Sequence, residues 1–164
     1  MTAFTLKEAK EFDIPVIISL QEKIWFSTYQ KILSKAQMDY MFQEIYSPNA
    51  LERQMQEGHK FSILYHNDLP IGFFAISLHV ASSFKLHKIY LLPAAQGIGA
   101  GKQMLREAEK YVISQKGTTL IINVNRYNKA KLFYEKMGYQ VIEEIDIPFG
   151  PYWMNDYVLS KTLM

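Results

Sequence analysis

The sequence predicts an α/β domain built around a mixed sheet, and three observations support this fold class. The chain has 164 residues, a length that suits one domain. Apolar residues make up 49% of it and charged residues 21%, as in globular proteins. Helical periodicity near the amino terminus gives way to a run of strands, after which strands and helices alternate. We therefore expect residues 1–164 to form a single domain.

The first half of the chain is predicted to contain helices and then a meander of strands. Asp13, Ser34 and Ser47 are suited to cap the helices, because their side-chain oxygens can accept hydrogen bonds from free N–H groups. Apolar and polar residues alternate from residue 60, which indicates strands, and Asn67-Asp68 supplies a turn. The predicted elements are a strand over 3–8, helices over about 14–31, 35–45 and 48–55, and strands over 60–66, 70–79 and 84–92.

The second half begins with a glycine-rich loop that leads into a helix. The predicted buried stripe of this helix consists of Ile98, Gly101, Leu105, Ala108 and Val112. Residues 119–124 are almost continuously apolar, as is typical of a strand buried on both faces. Asn128 is the predicted cap of the last helix, Gly138 ends it, and two strands follow over roughly 139–147 and 152–162.

Composition excludes several classes of function. The net charge is +2, from 18 basic and 16 acidic residues, which argues against nucleic acid or a membrane surface as a partner. The chain contains no cysteine, so disulfides and thiolate nucleophiles are excluded. The four histidines are not in a metal-binding spacing, and no metal is expected. Neither a membrane-spanning run nor a secretory signal is found, so we expect a cytoplasmic protein.

The glycine-rich loop, Gln96-Gly97-Ile98-Gly99-Ala100-Gly101, carries the clearest chemical signal. A loop of this kind exposes N–H groups at a helix N-terminus, where they favour a phosphate. It is not a Walker A loop, since Gln96 stands where the first glycine belongs, and Lys102 breaks the dinucleotide fingerprint. The residues alone leave open a second interpretation, in which the glycines only form a tight turn.

Three segments together resemble the GCN5-related N-acetyltransferase (GNAT) family. The loop matches the Gln/Arg-x-x-Gly-x-Gly/Ala motif of this family, and residues 86–93 are similar to the strand that leads into it. The segments 124–130 and 133–139 resemble the second family signature. The resemblance implies a mixed, mostly antiparallel, twisted sheet of six to seven strands flanked by helices. It also implies an acetyl-CoA-dependent enzyme that acetylates a primary amine directly, in a ternary complex.

The resemblance also implies roles for individual residues. Tyr134 is expected to act as the general acid near the thioester sulfur, although spacing alone would suit a core aromatic equally well. Asn128 and Lys136 are expected to contact the cofactor. The remaining cofactor-binding positions are strand residues Ile89, Tyr90 and Leu91, for the pantetheine arm, and loop residues Gln96, Gly97, Ile98, Gly99, Ala100, Gly101 and Lys102, for the pyrophosphate.

The general base is where the chain departs from the family pattern. Many members carry a glutamate early in the fourth strand, and Lys85 stands at that position here. His87, two residues further on, is the candidate base, with an ordinary pKa near ~6.5 that the Lys85 ammonium should lower. Further candidates are His79, Glu143, Glu144 and Asp156, and a chain of water molecules could also carry the proton.

The acceptor is the least defined part of the prediction. By resemblance, the first helices and the final hairpin line the acceptor site, which points to Trp25, Tyr29 and Trp153. Aromatic walls suit a cationic amine or an apolar side chain. The acceptor could be a small molecule or a peptide amine, and the protein a monomer or a homodimer. The alternative function is a non-catalytic module that binds acyl-CoA and regulates, which the Lys85 departure favours.

Overall fold

The computed structural model describes residues 4–163, which form one seven-stranded sheet with helices on both faces. Residue 3, with which the first predicted strand begins, lies outside this range. In chain order the elements are β1 (Phe4–Ala9), α1 (Ile14–Tyr29), α2 (Lys35–Tyr46), α3 (Pro48–Gln56), β2 (Lys60–His66), β3 (Leu69–Val80), β4 (Ser83–Leu91), α4 (Ala100–Ser114), β5 (Thr119–Asn125), α5 (Ala130–Lys136), β6 (Gln140–Phe149) and β7 (Tyr152–Thr162). Short 3₁₀ turns, Glu11–Asp13 and Pro93–Ala95, precede α1 and α4.

The strands lie in the order β1-β2-β3-β4-β5-β7-β6. Every neighbouring pair is antiparallel except β4 and β5, which are parallel. A mixed, mostly antiparallel sheet flanked by helices is therefore confirmed.

Local sequence signals explain most element boundaries. Ser34 and Ser47 accept hydrogen bonds from the N–H groups of Gln37 and Ala50, as N-caps do. Asn67 and Asp68 both have positive φ, which suits the tight turn between β2 and β3.

The sheet separates two hydrophobic cores. On one face α4 and α5 pack over the central strands, and fully buried residues of this core include Ala100, Leu105 and Leu120. On the other face α1, α2 and α3 pack over β2 and β3, around Ile17, Leu51 and Phe73.

Two expectations about burial are wrong. Ile98 was placed on the buried stripe of α4, but it belongs to the preceding loop and is 42% exposed, and Met104 fills the stripe instead. Strand β5 is not buried on both faces. Leu120, Ile122 and Val124 are buried, whereas Ile121 and Asn123 between them are only half-buried. Asn123 faces open space rather than a packed layer.

The parallel pair β4 and β5 separates after a short contact. Ser83–Leu86 pair with Thr119–Ile122, and beyond these residues the two strands share no ladder. At the same point β4 carries a bulge against β3, since Ile76 pairs with Leu86 and Ala75 pairs with Lys88. His87 is the extra residue, and such bulges bend a strand and increase its twist. The result is an opening in the middle of the sheet.

No helix among residues 4–163 is long and apolar enough to cross a membrane.

Candidate active site

A cavity of about 680 Å³ occupies the opening between β4 and β5. Its walls come from four places: the separated halves of the two strands, the glycine-rich loop, the start of α5 and the end of α1. Because the strands are unpaired here, the backbone of Ile89, Tyr90 and Leu91 on the side toward β5 is not used by a ladder. An extended, amide-containing ligand arm could occupy the place of the missing strand pairing.

The glycine-rich loop forms one end of this cavity. Gly97 and Gly99 have φ values of +83° and +85°, a left-handed conformation that favours glycine. A Cβ atom added at either position would meet no protein atom within 4 Å, so open space lies beside the loop. Within residues 4–163, the N–H groups of 97–102 have no backbone acceptor. These free donors at the N-terminus of a 15-residue helix fit the phosphates of a nucleotide cofactor.

Most of the predicted cofactor-binding residues meet at this cavity. Those that line it are Ile89, Tyr90, Leu91, Gln96, Gly97, Gly99, Gly101, Lys102 and Asn128. The Asn128 side chain also accepts a hydrogen bond of 2.9 Å from the Ala130 N–H and so fixes the start of α5.

Three predicted cofactor positions have side chains that do not line the cavity. Ile98 is exposed, and Ala100 is fully buried under the loop. Lys136 is exposed at the end of α5, about two helical turns away from Asn128, which precedes the helix, and it does not line the cavity, so its prediction as a cofactor contact finds no support.

Tyr134 lies on α5 and lines the cavity, although only 6% of its surface is exposed. Burial raises the pKa of its hydroxyl above the ordinary value of 10.0. The apolar surroundings disfavour a phenolate. The hydroxyl stays protonated and remains a hydrogen-bond donor at the wall of the cavity.

A second cavity, of about 370 Å³, lies on the opposite face of the sheet, under α1, α2 and α3. It shares lining residues with the first cavity, namely Tyr29, Leu86, His87, Lys88, Tyr90, Asn123 and Asn125. All seven lie on β4, β5 or the end of α1. The opening between the strands therefore brings the two cavities together, and a ligand in one could react with a ligand in the other.

Two of the three predicted acceptor-site aromatics line the second cavity. Tyr29 is within 3.0 Å of the Tyr90 hydroxyl, and Trp25 donates its Nε1–H to the Met38 carbonyl at 3.0 Å. Trp153 does not line either cavity and is 57% exposed, so its prediction needs correction. It lies on β7 next to the hairpin, and its backbone carbonyl accepts a hydrogen bond from the Gln37 side chain.

His87 lies at the junction of the cavities, but its environment is unsuited to a base at neutral pH. Burial, followed by the neighbouring His59, Lys88 and Lys85, lowers its pKa to about 3. Its ring stacks on His59 at 4.0 Å between centroids, and its Nε2 is 2.7 Å from the Ser77 hydroxyl. The expected lowering by Lys85 is confirmed in direction, but burial is the larger cause. His87 is therefore neutral at pH 7 and a weak base.

Asp156 is the candidate carboxylate that the structure places at the second cavity. The ladder pairs it with Asn125, and the Asn123 amide donates to its Oδ2 at 3.3 Å. Only 7% of its surface is exposed, and burial raises its pKa above the ordinary 3.8, against the lowering effects of Asn123, Lys85 and Arg126. The other candidates are elsewhere: His79, Glu143 and Glu144 are exposed and line neither cavity.

Lys88 is a cavity residue that the sequence pattern did not point to. It is 8% exposed, and its Nζ donates to the Gln54 side chain at 2.7 Å. Alternation along β4 places residue 88 inward with Phe84 and Leu86, but the bulge at His87 turns Lys88 to the opposite face of the sheet, over Tyr46 and Phe61. Among residues 4–163, no group of three or more His, Cys, Asp or Glu side chains is placed to hold a metal ion.

Comparisons with known proteins agree with this architecture. The family model described as "Acetyltransferase (GNAT) domain" matches residues 27–148. A ribosomal protein bS18-alanine N-acetyltransferase from Haemophilus influenzae is 38% identical over 85 residues. That match covers 51% of this chain and 55% of the relative, so the two align over about half their lengths.

Solved structures share the fold over nearly the whole chain. The PaiA N-acetyltransferase of Thermoplasma acidophilum, crystallised in complex with coenzyme A, superposes with a TM-score of 0.82 at 24% identity, covering 98% of this chain and 99% of that one. The ribosomal-protein-S18-alanine N-acetyltransferase of Escherichia coli gives 0.75 at 15% identity, with 98% and 94% covered. Because the family model matches more than half of the chain, the protein belongs to the GNAT family of N-acetyltransferases.

Proposed function

We propose that this protein transfers an acetyl group from acetyl-CoA to a primary amine, with both substrates bound at the same time. The observation that carries this proposal is the meeting of two cavities at the opening between β4 and β5. One cavity has free N–H donors at a helix N-terminus, and the other has a buried carboxylate. A cofactor and an acceptor could therefore approach each other through the sheet.

The residues of the first cavity fit coenzyme A. The glycine loop and Lys102 offer donors and positive charge to the phosphates, and the unpaired edge of β4 offers backbone groups to the pantetheine amides. The coenzyme A complex of the PaiA relative supports this assignment. When bound, acetyl-CoA supplies the acetyl group as a thioester.

The acceptor must lose a proton before it can act as a nucleophile. A free alkylamine has a pKa near ~10.4, so at pH 7 only about one molecule in a thousand is neutral, a handicap of roughly 4–5 kcal/mol. Asp156 is the base we propose, because it is a carboxylate at the acceptor cavity whose buried position raises its pKa and strengthens it as a base. Asn123 holds its orientation through the amide hydrogen bond.

Tyr134 is the hydrogen-bond donor that we propose at the cofactor side. Its hydroxyl lies on the wall of the first cavity and stays protonated, since burial raises its pKa. It can therefore offer a hydrogen bond to a departing thiolate, whose conjugate acid has a pKa near ~8.5. The raised pKa favours a donor that stabilises the thiolate over one that gives up its proton early.

The relative from Haemophilus influenzae acts on an alanine of a ribosomal protein, so a peptide amine is a possible class of acceptor besides small amines. The non-catalytic alternative would bind acyl-CoA without needing a base. Lys85, which lines the acceptor cavity, favours this alternative, whereas the buried Asp156 in the same cavity favours catalysis. A cytoplasmic location and the choice between monomer and homodimer stay predictions.

Calorimetry with acetyl-CoA tests the cofactor part of the proposal. In Gly99→Val, the side chain enters the open space beside the loop, and we expect binding to weaken by at least about tenfold because a phosphate can no longer approach the N–H groups. Gly58→Val is the matched control: Gly58 also has positive φ (+100°) and open space around it, but it lies outside the cofactor cavity. Equal affinity in the folded Gly99→Val protein and in the control would contradict the assignment.

A further inference from the structure

Lys88 is a buried cation without an anionic partner. Its Nζ has one hydrogen-bond acceptor, the Gln54 side chain, and lies over the rings of Tyr46 and Phe61 at 5.7 and 5.5 Å from their centroids. An ammonium has three donors, and within residues 4–163 no carboxylate forms an ion pair with this one. Burying such a charge is unfavourable unless something compensates it.

The charges that line the acceptor cavity do not balance. Lys85 and Lys88 are its cationic residues, and Asp156 is its one carboxylate among the described residues. His59 and His87 line it as well, but burial and the two lysines lower their pKa values, so both are neutral at pH 7. The cavity therefore carries an excess of one positive charge, which favours a negatively charged group on whatever binds there.

We propose that the acceptor is a small primary amine that also carries an anionic group, and that Lys88 Nζ pairs with this group. The inference rests on the proposed function, since it assigns the amine to Asp156 and the anion to Lys88. A carboxylate would accept the ammonium donors that Gln54 leaves free, and Lys85 would add a second positive charge three residues earlier on β4.

The two residues that would hold the charged groups of the acceptor lie on different strands. Lys88 lies on β4 and Asp156 on β7, with β5 between them. Two strand spacings correspond to about 10 Å between backbones, and the side chains shorten that distance. A molecule with its amine and its anionic group a few bonds apart matches this arrangement. A diamine would instead place a second ammonium near Lys85 and Lys88, where like charges repel.

Three primary amines with a four-carbon skeleton test the inference: γ-aminobutyrate, n-butylamine and putrescine. At the end opposite the reacting amine they carry an anionic, a neutral and a cationic group, respectively. Thiol release from acetyl-CoA gives kcat/KM for each, and calorimetry with coenzyme A present gives its affinity without turnover. We expect γ-aminobutyrate to exceed n-butylamine by about tenfold or more, as for a hydrogen-bonded charge pair, and putrescine to be the poorest.

The Lys88→Met variant keeps the apolar stem and removes the charge, so the ratio between γ-aminobutyrate and n-butylamine should fall to near one. Lys110→Met, on the surface of α4, should keep the wild-type ratio. A wild-type ratio of one in rate and in affinity, a preference for putrescine, or a ratio that persists in Lys88→Met would each overturn the inference. Acetylation of all amines at equal rates would leave the proposed function intact, whereas failure to bind acetyl-CoA would contradict that function itself.

Discussion

Three ionisable residues at the acceptor cavity have pKa values displaced mainly by burial. The pKa of Asp156 is raised, that of Lys88 is lowered to about 8, and that of His87 is lowered to about 3. Each shift favours the neutral form, as expected where protein atoms replace water. At this site the carboxyl becomes a stronger base and the imidazole a weaker one, which reverses the order that the sequence suggested.

The pH dependence of kcat/KM distinguishes Asp156 from His87. In the wild type we expect the rate to be lost as pH falls through the raised Asp156 pKa, because the protonated carboxyl cannot accept the acceptor's proton. Asp156→Asn should lower kcat/KM by about 10²-fold. Its remaining rate should rise with pH only through the pKa of the amine itself, near ~10.4.

His87→Ala is the companion variant, and it should keep the wild-type shape of the profile because the neutral imidazole takes no proton above its pKa of about 3. A profile that is unchanged in Asp156→Asn, or one whose acidic limb disappears in His87→Ala, would reverse the assignment.

Lys88 should make stability depend on pH in the alkaline range. Its pKa is lowered from 10.5 to about 8, so between these values the unfolded chain binds more protons than the folded protein. Stability attributable to this residue therefore rises with pH across that window. Relative to Lys88→Met, the wild type should gain about 2 kcal/mol in free energy of unfolding between pH 7 and pH 9.5. Urea titrations at both pH values measure this, and parallel behaviour of the two proteins would contradict a buried, protonated lysine.

Tyr134→Phe removes one hydroxyl and leaves the ring in place. We expect kcat at saturating acetyl-CoA to fall by about 10²-fold, with little change in stability. Tyr139→Phe is the matched control, since Tyr139 is also buried but donates to Glu109 at 2.7 Å, away from both cavities. That control should lose stability and keep kcat. A fall of less than about threefold in Tyr134→Phe would make Tyr134 a packing residue.

At the scale of elements, α5 depends on a single side chain for its start. It has only seven residues, and Asn128 satisfies its first N–H group. Asn128→Ala should lower the free energy of unfolding by about 1 kcal/mol. Asn128→Ser should lose less, because a serine hydroxyl can also accept from the N–H two residues further on, although more weakly. Thermal unfolding checks the first effect. Acetyl-CoA affinity should fall in both variants, since both lose the amide that lines the cofactor cavity.

Sequence reasoning located elements well where local chemistry decides them. Caps such as Ser34 and Ser47 and the Asn67-Asp68 turn are local signals, and the corresponding elements lie where they were expected. Placement across the sheet depends on pairing between distant strands. The bulge at His87 and the separation of β4 from β5 arise from that pairing, so neither the face on which Lys88 lies nor the junction of the cavities was visible in the sequence.

The same difference between local and distant interactions applies to the predicted site residues. Most cofactor positions lie close together in the chain, between residues 89 and 102, and most of the cofactor positions line one cavity. Acceptor positions come from separate helices and a hairpin, whose relative placement a motif does not determine. Trp153 is predicted from the resemblance of the final hairpin to that of the family, yet it is 57% exposed, while Asp156, three residues further along β7, lines the cavity.

At the scale of the whole molecule, the sheet lies between the two cavities, which meet where β4 and β5 separate. Helices α4 and α5 support the cofactor side, and α1, α2 and α3 cover the acceptor side. The proposed transfer requires that the two reactants be held in one geometry, and the junction of the cavities between β4 and β5 is where we expect them to meet.

Amine-dependent thiol release from acetyl-CoA, measured together with the N-acetylated product, tests the central claim most directly. With a panel of primary amines, we predict thiol and acetylated amine in equal amounts, and initial-rate lines that intersect when both substrate concentrations are varied, as for transfer within a ternary complex. Thiol release that no amine accelerates, in a protein that binds acetyl-CoA, would contradict the account, and so would parallel initial-rate lines.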